Sequence, residues 1–297
     1  MTQGIEAPEI ETRHLAAEPT RRDTPGSSRR LPTLGLGIVL PFIVLIGLVI
    51  AAVLPSWIAT TGALDMDPAQ AFAAPGAAHW FGTDESGRDV FSRVIFGTRS
   101  SLLIGVLATL IGLGVALVLG ALAGLGTKAV DFGVSRFLEV LFAFPGLLLA
   151  LLVITILGPG VVTTTIAVGL SAAPGYARMI RSQVLSIRRS GYVEAAIVQG
   201  KSGGYIIVRH ILPNVAAPLF VLATLGVGQA IVWASSLSFL GLGATPPDPE
   251  WGSMLSQGRL YIGNAWWLTF FPGLFIVLSA ASTTLLGHGI QRKLKDR

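Results

Sequence analysis

Five stretches of this chain, residues 31–64, 100–127, 140–177, 211–247 and 260–287, contain no Asp, Glu, Lys or Arg. Roughly 20 apolar residues in a helix cross the ~30 Å hydrocarbon core of a bilayer, so each stretch is long enough to span it. Only 12% of the 297 residues are charged, whereas a soluble domain carries about 25%. A soluble enzyme, a nucleic-acid binder and a disordered scaffold are thereby excluded, and the chain reads as an all-α polytopic membrane protein. It has no cysteine, which removes disulfides, thiolate metal sites and cysteine nucleophiles. The net charge of +5 reads as the cationic bias of cytoplasmic loops and not as a nucleic-acid footprint.

Residues 1–30 mix five Arg and five acids with Pro, Ser and Thr, a composition that cannot bury enough apolar surface to offset its ordering entropy. They read as a disordered cytoplasmic tail ahead of a permease domain at 31–297. The 38-residue run 140–177 is too long for one crossing, and Gly158-Pro159-Gly160 near its middle favours a turn. Six transmembrane helices are expected, at about 34–54, 101–126, 137–157, 161–180, 212–240 and 265–287. With both termini cytoplasmic, the inner segments hold 17 of the 21 basic residues and 9 of the 16 acids. That leaves +8 inside and −3 outside, as the positive-inside rule requires.

The spans hold almost no ionisable groups; Arg136 and Glu139, at the cytoplasmic start of the third, come closest. Ion-coupled carriers place such groups within the membrane, so their scarcity argues against a stand-alone carrier. Gly105, Gly112, Gly114, Gly120 and Gly124 thread the second span, and the Gly120-x-x-x-Gly124 spacing is one that lets helices approach closely.

The loop between spans four and five, about 181–211, contains Glu194-Ala195-Ala196 and then Gly200, and leads to Leu212-Pro213 at the head of a span. Glu and Ala favour a short helix and Gly200 a stop. Gly200-Lys201-Ser202 mimics the end of a phosphate-binding loop, but the first glycine of that motif would fall at Ala195. No nucleotide site is expected here. On the outer side, residues 82–93 read G-T-D-E-S-G-R-D-V-F-S-R, with a helix expected from Asp89 lying on the outer leaflet. His79 with Asp84 and Glu85 fits no standard metal-ligand spacing. A third string, residues 237–255, runs from S-F-L-G-L-G to P-P-D-P-E-W-G-S-M-L, a stiff external loop. Trp251, Trp266 and Trp267 suit the membrane interface.

The Glu194 loop resembles the EAA loop of ABC importer permeases. The two external strings, with Leu285-Leu286-Gly287-His288-Gly289-Ile290 near the end, resemble the C-type permease subunit of dipeptide and oligopeptide importers. His288 stands where that family usually has Asp, and Gly203-Gly204 depart from its more helical sequence, an expected loosening of the coupling helix. The resemblance covers roughly 35–295. It implies a type I ABC importer permease fold in the inner membrane of a prokaryote, carrying di- or oligopeptides inward. Glu194, Ala195, Ala196 and Gly200 would couple to the ATPase. The implied partners are a homologous B-type permease, two ATPase subunits or one fused chain, and an extracytoplasmic peptide-binding protein, within membrane lipid and without nucleic acid. No cofactor is expected in this chain, ATP and Mg belonging to the ATPases. External segments 79–99 and 244–264 are the expected docking surface for the binding protein, with Asp84, Arg88, Asp89, Pro247 and Trp251 on it. The same fold importing nickel, glutathione or other small peptidic cargo is the near alternative, and a stand-alone channel or carrier the further one. An intramembrane enzyme is disfavoured, since H-E-x-x-H, G-x-S-x-G and paired intramembrane carboxylates are all missing.

Overall fold

The computed structural model describes residues 36–295, with side chains over 38–292; the expected tail at 1–30 lies outside the described residues. Among the described residues all regular structure is helical, apart from one antiparallel bridge between Thr83 and Asp89. In chain order the helices are α1 (Leu36–Val53), α2 (Pro55–Ile58), α3 (Val90–Leu125), α4 (Lys128–Phe142), α5 (Gly146–Leu157), α6 (Val161–Arg188), α7 (Gly191–Val198) and α8 (Gly203–Ile206). A π-turn (Ile207–Ile211) then leads into α9 (Leu212–Phe239), followed by α10 (Trp251–Gly258) and α11 (Trp267–Lys295).

Three helices are long and apolar enough to cross a bilayer: α3, the continuous run Gly203–Phe239 through α9, and α11. Of the six crossings expected from the sequence, three meet this measure among the described residues, or four if the bent pair α4–α5 is one span. The described apolar part of α1, Ile38–Val53, is short for a span. Helix α6 is long enough at 28 residues, but Thr163, Thr164, Thr165, Tyr176, Arg178 and Arg181 dilute its apolar character. The third expected span, 137–157, is divided: α4 and α5 meet at a 92° bend. The cause is Pro145, whose ring denies Phe144 the helical region and which itself has no N–H to donate. Pro145 adopts extended backbone (φ −54°, ψ 131°) and α5 restarts at Gly146.

The segment from Asp89 onward also differs from expectation. It is no helix lying flat on the membrane but the first turns of α3, which at 36 residues runs about 54 Å. Asp89 caps it by accepting from the Ser92 N–H at 2.8 Å. Val90 and Val94 on one side pack with Trp251, Met254, Trp267 and Leu268, while Phe91 and Ile95 on the other pack with Ala51. With both faces covered, these first turns have no apolar stripe left for a lipid surface.

Helices α3 and α6 approach through small residues. A Cβ on Gly112 would lie 2.7 Å from the Gly169 carbonyl oxygen, one on Gly169 2.6 Å from that of Ala108, and one on Gly120 2.8 Å from that of Ala177. The Gly120-x-x-x-Gly124 spacing therefore serves packing within the chain. Gly112→Leu forces backbone apart where nothing flexible can yield, and overpacking of this kind costs about 1–3 kcal/mol or more. The expected result is loss of monodisperse protein on size exclusion, whereas Gly114→Leu, with nothing within 4 Å of its Cβ, elutes as the parent does.

Buried residues form three layers along the bundle: one around Trp251 and Trp267 at the cap end, one around Ile104, Ala108 and Val168 in the middle, and one around Ala177, Ile180 and Val184 at the loop end. Large apolar side chains, among them Leu40, Ile43, Leu110, Val118, Ile156 and Val277, point outward, as hydrocarbon surroundings allow.

Candidate functional site: the Glu194 loop and an adjoining cleft

Helix α6 ends where Arg188 Nη1 donates to the Gly124 carbonyl at 2.7 Å, tying the start of the loop to the end of α3. Ser190 then opens α7, its carbonyl accepting from Val193 and Glu194. The eight-residue helix ends in a Schellman turn: Lys201 N–H donates to the Ala196 carbonyl and Gly200 N–H to that of Ile197. Gly200 is left-handed (φ +74°), a conformation that glycine adopts without penalty. Gly203 and Gly204 lie beyond α7, in the single turn of α8 capped by Ser202 (Tyr205 N–H to Oγ, 3.3 Å). They begin the run into α9 and do not interrupt the short helix.

Helix α7 is held by two side chains, Val193 and Ala196, both buried with Ile180, Val184, Ile206 and Ile211. The rest faces outward: Glu194, Ala195 and Gly200 are exposed, as are Tyr192, Ile197 and Val198, the last at 88%. Glu194 has no ion-pair partner among the described residues. Of the four residues expected to couple, Ala196 thus fixes the helix to the bundle, and the other three lie on its open side. A patch of Ile, Val and Tyr outside the apolar spans is a surface built for contact. His210, in the π-turn, has its ring 6.1 Å from that of Tyr192 and 5.8 Å from that of Tyr205.

Beside the loop, Arg181 Nε and Nη2 donate to the two carboxylate oxygens of Asp131 at 2.6 and 2.7 Å, pinning α4 to α6. This guanidinium holds the Asp131 carboxyl below its ordinary range. Where α4 bends into α5, a cleft of about 640 Å³ opens between the bend, α6 and α9. Phe142, Tyr176 and Trp233 supply aromatic walls, and Arg178 and Gln229 its polar groups. The guanidinium of Arg178 lies over the Phe142 ring, 4.1 Å from its centroid. Neither Arg178 nor Gln229 was singled out from sequence. The usable signals were Pro145, which breaks an apolar run, and Arg178, which closes it.

The five expected docking residues divide. Asp84, Arg88, Asp89 and Trp251 are buried and only Pro247 is exposed. Asp84 accepts from the Arg88 backbone N–H and Nε and pairs with Arg93 at 3.5 Å, Arg88 also reaching Glu85 at 2.9 Å. Asp89 caps α3 and meets His79 Nδ1 at 2.9 Å. Trp251 Nε1 donates to the Val94 carbonyl at 3.0 Å. The bonds of Asp84, Arg88 and Asp89 stay within residues 60–93 and Trp251 ties α10 to α3, so these side chains shape the outer cap without forming its surface. Glu250 accepts from the N–H groups of Gly252 and Ser253, and its burial pushes the carboxyl above the ordinary range against those bonds.

Residues 116–297 match the family of binding-protein-dependent transport system inner membrane components. The chain belongs to that family. The matched part contains the Glu194 loop and all of the cleft; the cap segment 60–93 precedes it. A dipeptide transport system permease protein, DppC of Alkalihalophilus pseudofirmus, is 37% identical over 100% of this chain and 96% of its own. A glutathione transport system permease protein, GsiD of Pectobacterium atrosepticum, is 41% identical over 75% of this chain and 74% of its own. The probable D,D-dipeptide transport system permease protein DdpC of Escherichia coli is 37% identical over 86% of each. A chain from the inward-facing structures of the MetNI methionine ABC transporter superposes with a TM-score of 0.57 at 19% identity, over 68% of this chain and 96% of that one. The fold is therefore of the type I importer permease kind, and the protein is a multi-pass inner membrane component of a transport system.

Proposed function

We propose that this chain forms one half of the transmembrane pathway of an ATP-driven importer of di- and oligopeptides. It pairs with a homologous B-type permease, couples to two ATPase subunits or one fused chain, and receives cargo from an extracytoplasmic peptide-binding protein. ATP and Mg act on the ATPases, and this chain carries no covalent chemistry. The observation that carries the reading is the α7 helix: anchored by Val193 and Ala196, stopped by Gly200, with Glu194 and an apolar rim left open. Closure of the ATPase dimer moves a partner groove, α7 moves with it, and its buried anchors pass the motion to α6 and α9. Helices α1, α5 and α6 complete six crossings, with both termini and α7 on the cytoplasmic side, where the basic residues collect.

A scarcely charged pathway suits cargo of variable side chains, with affinity residing in the binding protein. The dipeptide and D,D-dipeptide relatives support peptide cargo. The glutathione relatives, at 41% identity, support a second reading with the same machinery and a tripeptide-like cargo. Affinity purification of the tagged chain from native membranes, followed by mass spectrometry, tests the assembly. A second permease, ATPases and a binding protein are expected, the captured ligand naming the cargo. Recovery of the chain alone, with flux in vesicles indifferent to ATP, would establish a channel or carrier instead.

A further inference from the structure

Three arginines lie along α4 and the facing turns of α6, and two are paired: Arg136 with Glu139 at 2.8 Å, and Arg181 with Asp131 at 2.6 Å. Arg178 is paired with no carboxylate among the described residues, yet it is held in place, its guanidinium stacked on Phe142 at the wall of the cleft. Stacking fixes the planar group and leaves its N–H donors free. Deeper in the same cleft lies Gln229, exposed and without a hydrogen-bond partner among the described residues. It sits ten residues before the end of α9 at Phe239, about 15 Å along the helix, within a layer of ~30 Å. An unpartnered amide at that depth faces water or a polar occupant, because hydrocarbon cannot satisfy it. Trp233 stands one turn further along α9 on the same wall, its indole N–H also unmatched by an acceptor among the described residues. The cleft therefore presents hydrogen-bond donors and one unpaired cation against aromatic walls, in a volume suited to a small ligand.

We infer that this cleft is part of the peptide path and that Arg178 is the residue in it that meets the C-terminal carboxylate of the cargo. The inference rests on the peptide-import reading above and adds to it a recognition element within the membrane domain. Gln229 and Trp233 then face the peptide's backbone carbonyls, which every sequence shares, so selection acts on the terminus and not on the side chains. The exposure of Arg178 keeps the contact weak enough for release.

The test uses the complete transporter in proteoliposomes, with binding protein and ATP, offered an equimolar library of free-acid tripeptides together with the same library as C-terminal amides. Mass spectrometry of the lumen gives the acid-to-amide uptake ratio. The binding protein's own preference is common to all variants and cancels. Arg178→Gln is expected to lower the ratio about tenfold, the scale of a lost hydrogen bond to a charged group, while Arg178→Lys keeps most of it. A ratio unchanged in Arg178→Gln, whether or not total uptake falls, overturns the assignment while leaving peptide import intact. Failure of the unmodified transporter to take up either library overturns the import reading, and this inference with it. Because the chain has no native cysteine, a thiol introduced by Gln229→Cys gives a second measurement. Labelling by a membrane-impermeant reagent, slowed by the free-acid library, is expected; a thiol that stays unreactive means that a partner polypeptide fills the cleft, which also overturns the proposal.

Discussion

Gly200→Val is expected to reduce ATP-driven uptake by roughly tenfold or more while leaving the helical bundle assembled. A Cβ on Gly200 would meet nothing within 4 Å, so crowding is not the objection; the backbone at φ +74° is. A β-branched residue held in the left-handed region costs about 1–3 kcal/mol. The cheapest relief is to undo the Schellman turn that ends α7 and aims the chain into α8. The bonds at stake are local, Gly200 to Ile197 and Lys201 to Ala196, and the anchors Val193 and Ala196 stay buried. Insertion and thermal stability should therefore hardly change while the presentation of the loop does. Gly200→Asn separates the two effects, since asparagine tolerates the left-handed region, and should restore most of the uptake. Glu194→Ala bears on the contact itself. Glu194 is exposed and has no ion-pair partner among the described residues, so its removal should cost no stability but should lower uptake. Full ATP-driven uptake by both Gly200→Val and Glu194→Ala would remove α7 from the coupling path.

Trp251→Ala is expected to have the largest effect on stability, about 3–5 kcal/mol, the range for emptying a buried aromatic site. The side chain is fully buried (0% exposed) in the layer with Val90, Val94, Met254 and Trp267. Its indole N–H donates to the Val94 carbonyl and its backbone N–H to Ser101 Oγ at 3.2 Å. Truncation leaves a cavity in the joint between α3 and α10 and removes one of the two side-chain donors to the Val94 carbonyl, Thr98 Oγ1 remaining. In detergent the melting temperature should fall by on the order of 10 °C. Trp251→Phe, which keeps most of the volume and loses only the donated bond, should recover more than half of that. A melting temperature unmoved by Trp251→Ala would mean that the cap does not depend on this joint, and would return Trp251 to the surface role that the sequence suggested for it.

What could be read without coordinates was what depends on neighbours along the chain. Crossing a bilayer requires a run of residues without charge, and 100–127, 211–247 and 260–287 show it directly, because hydrocarbon tests each segment on its own. The short helix α7 and its stop were legible for a similar reason: Glu194, Ala195, Ala196 and Gly200 lie within seven residues. The external string 82–93 reads from sequence as a surface because Asp84, Arg88 and Asp89 carry charge, and charge usually means a solvated face. The fold buries them by pairing Asp84 with Arg88 and Arg93, and Asp89 with His79. Trp251 suits the membrane interface by its type alone, yet its partner Val94 lies 157 positions away. No local rule announces that contact. Pro145 stood in plain view, but only the packing of α4 and α5 against α6 turned its break into a 92° bend with a cleft beneath it. Arg178 reads from sequence as one more basic residue at a span's end, and only the fold brings Phe142, from another helix, under its guanidinium. Hydropathy and turn chemistry act between neighbours in sequence and decided where helices run and stop. Burial of a charge, the direction of a bend and the wall of a cleft depend on which distant segments meet, and the tertiary structure alone decided those.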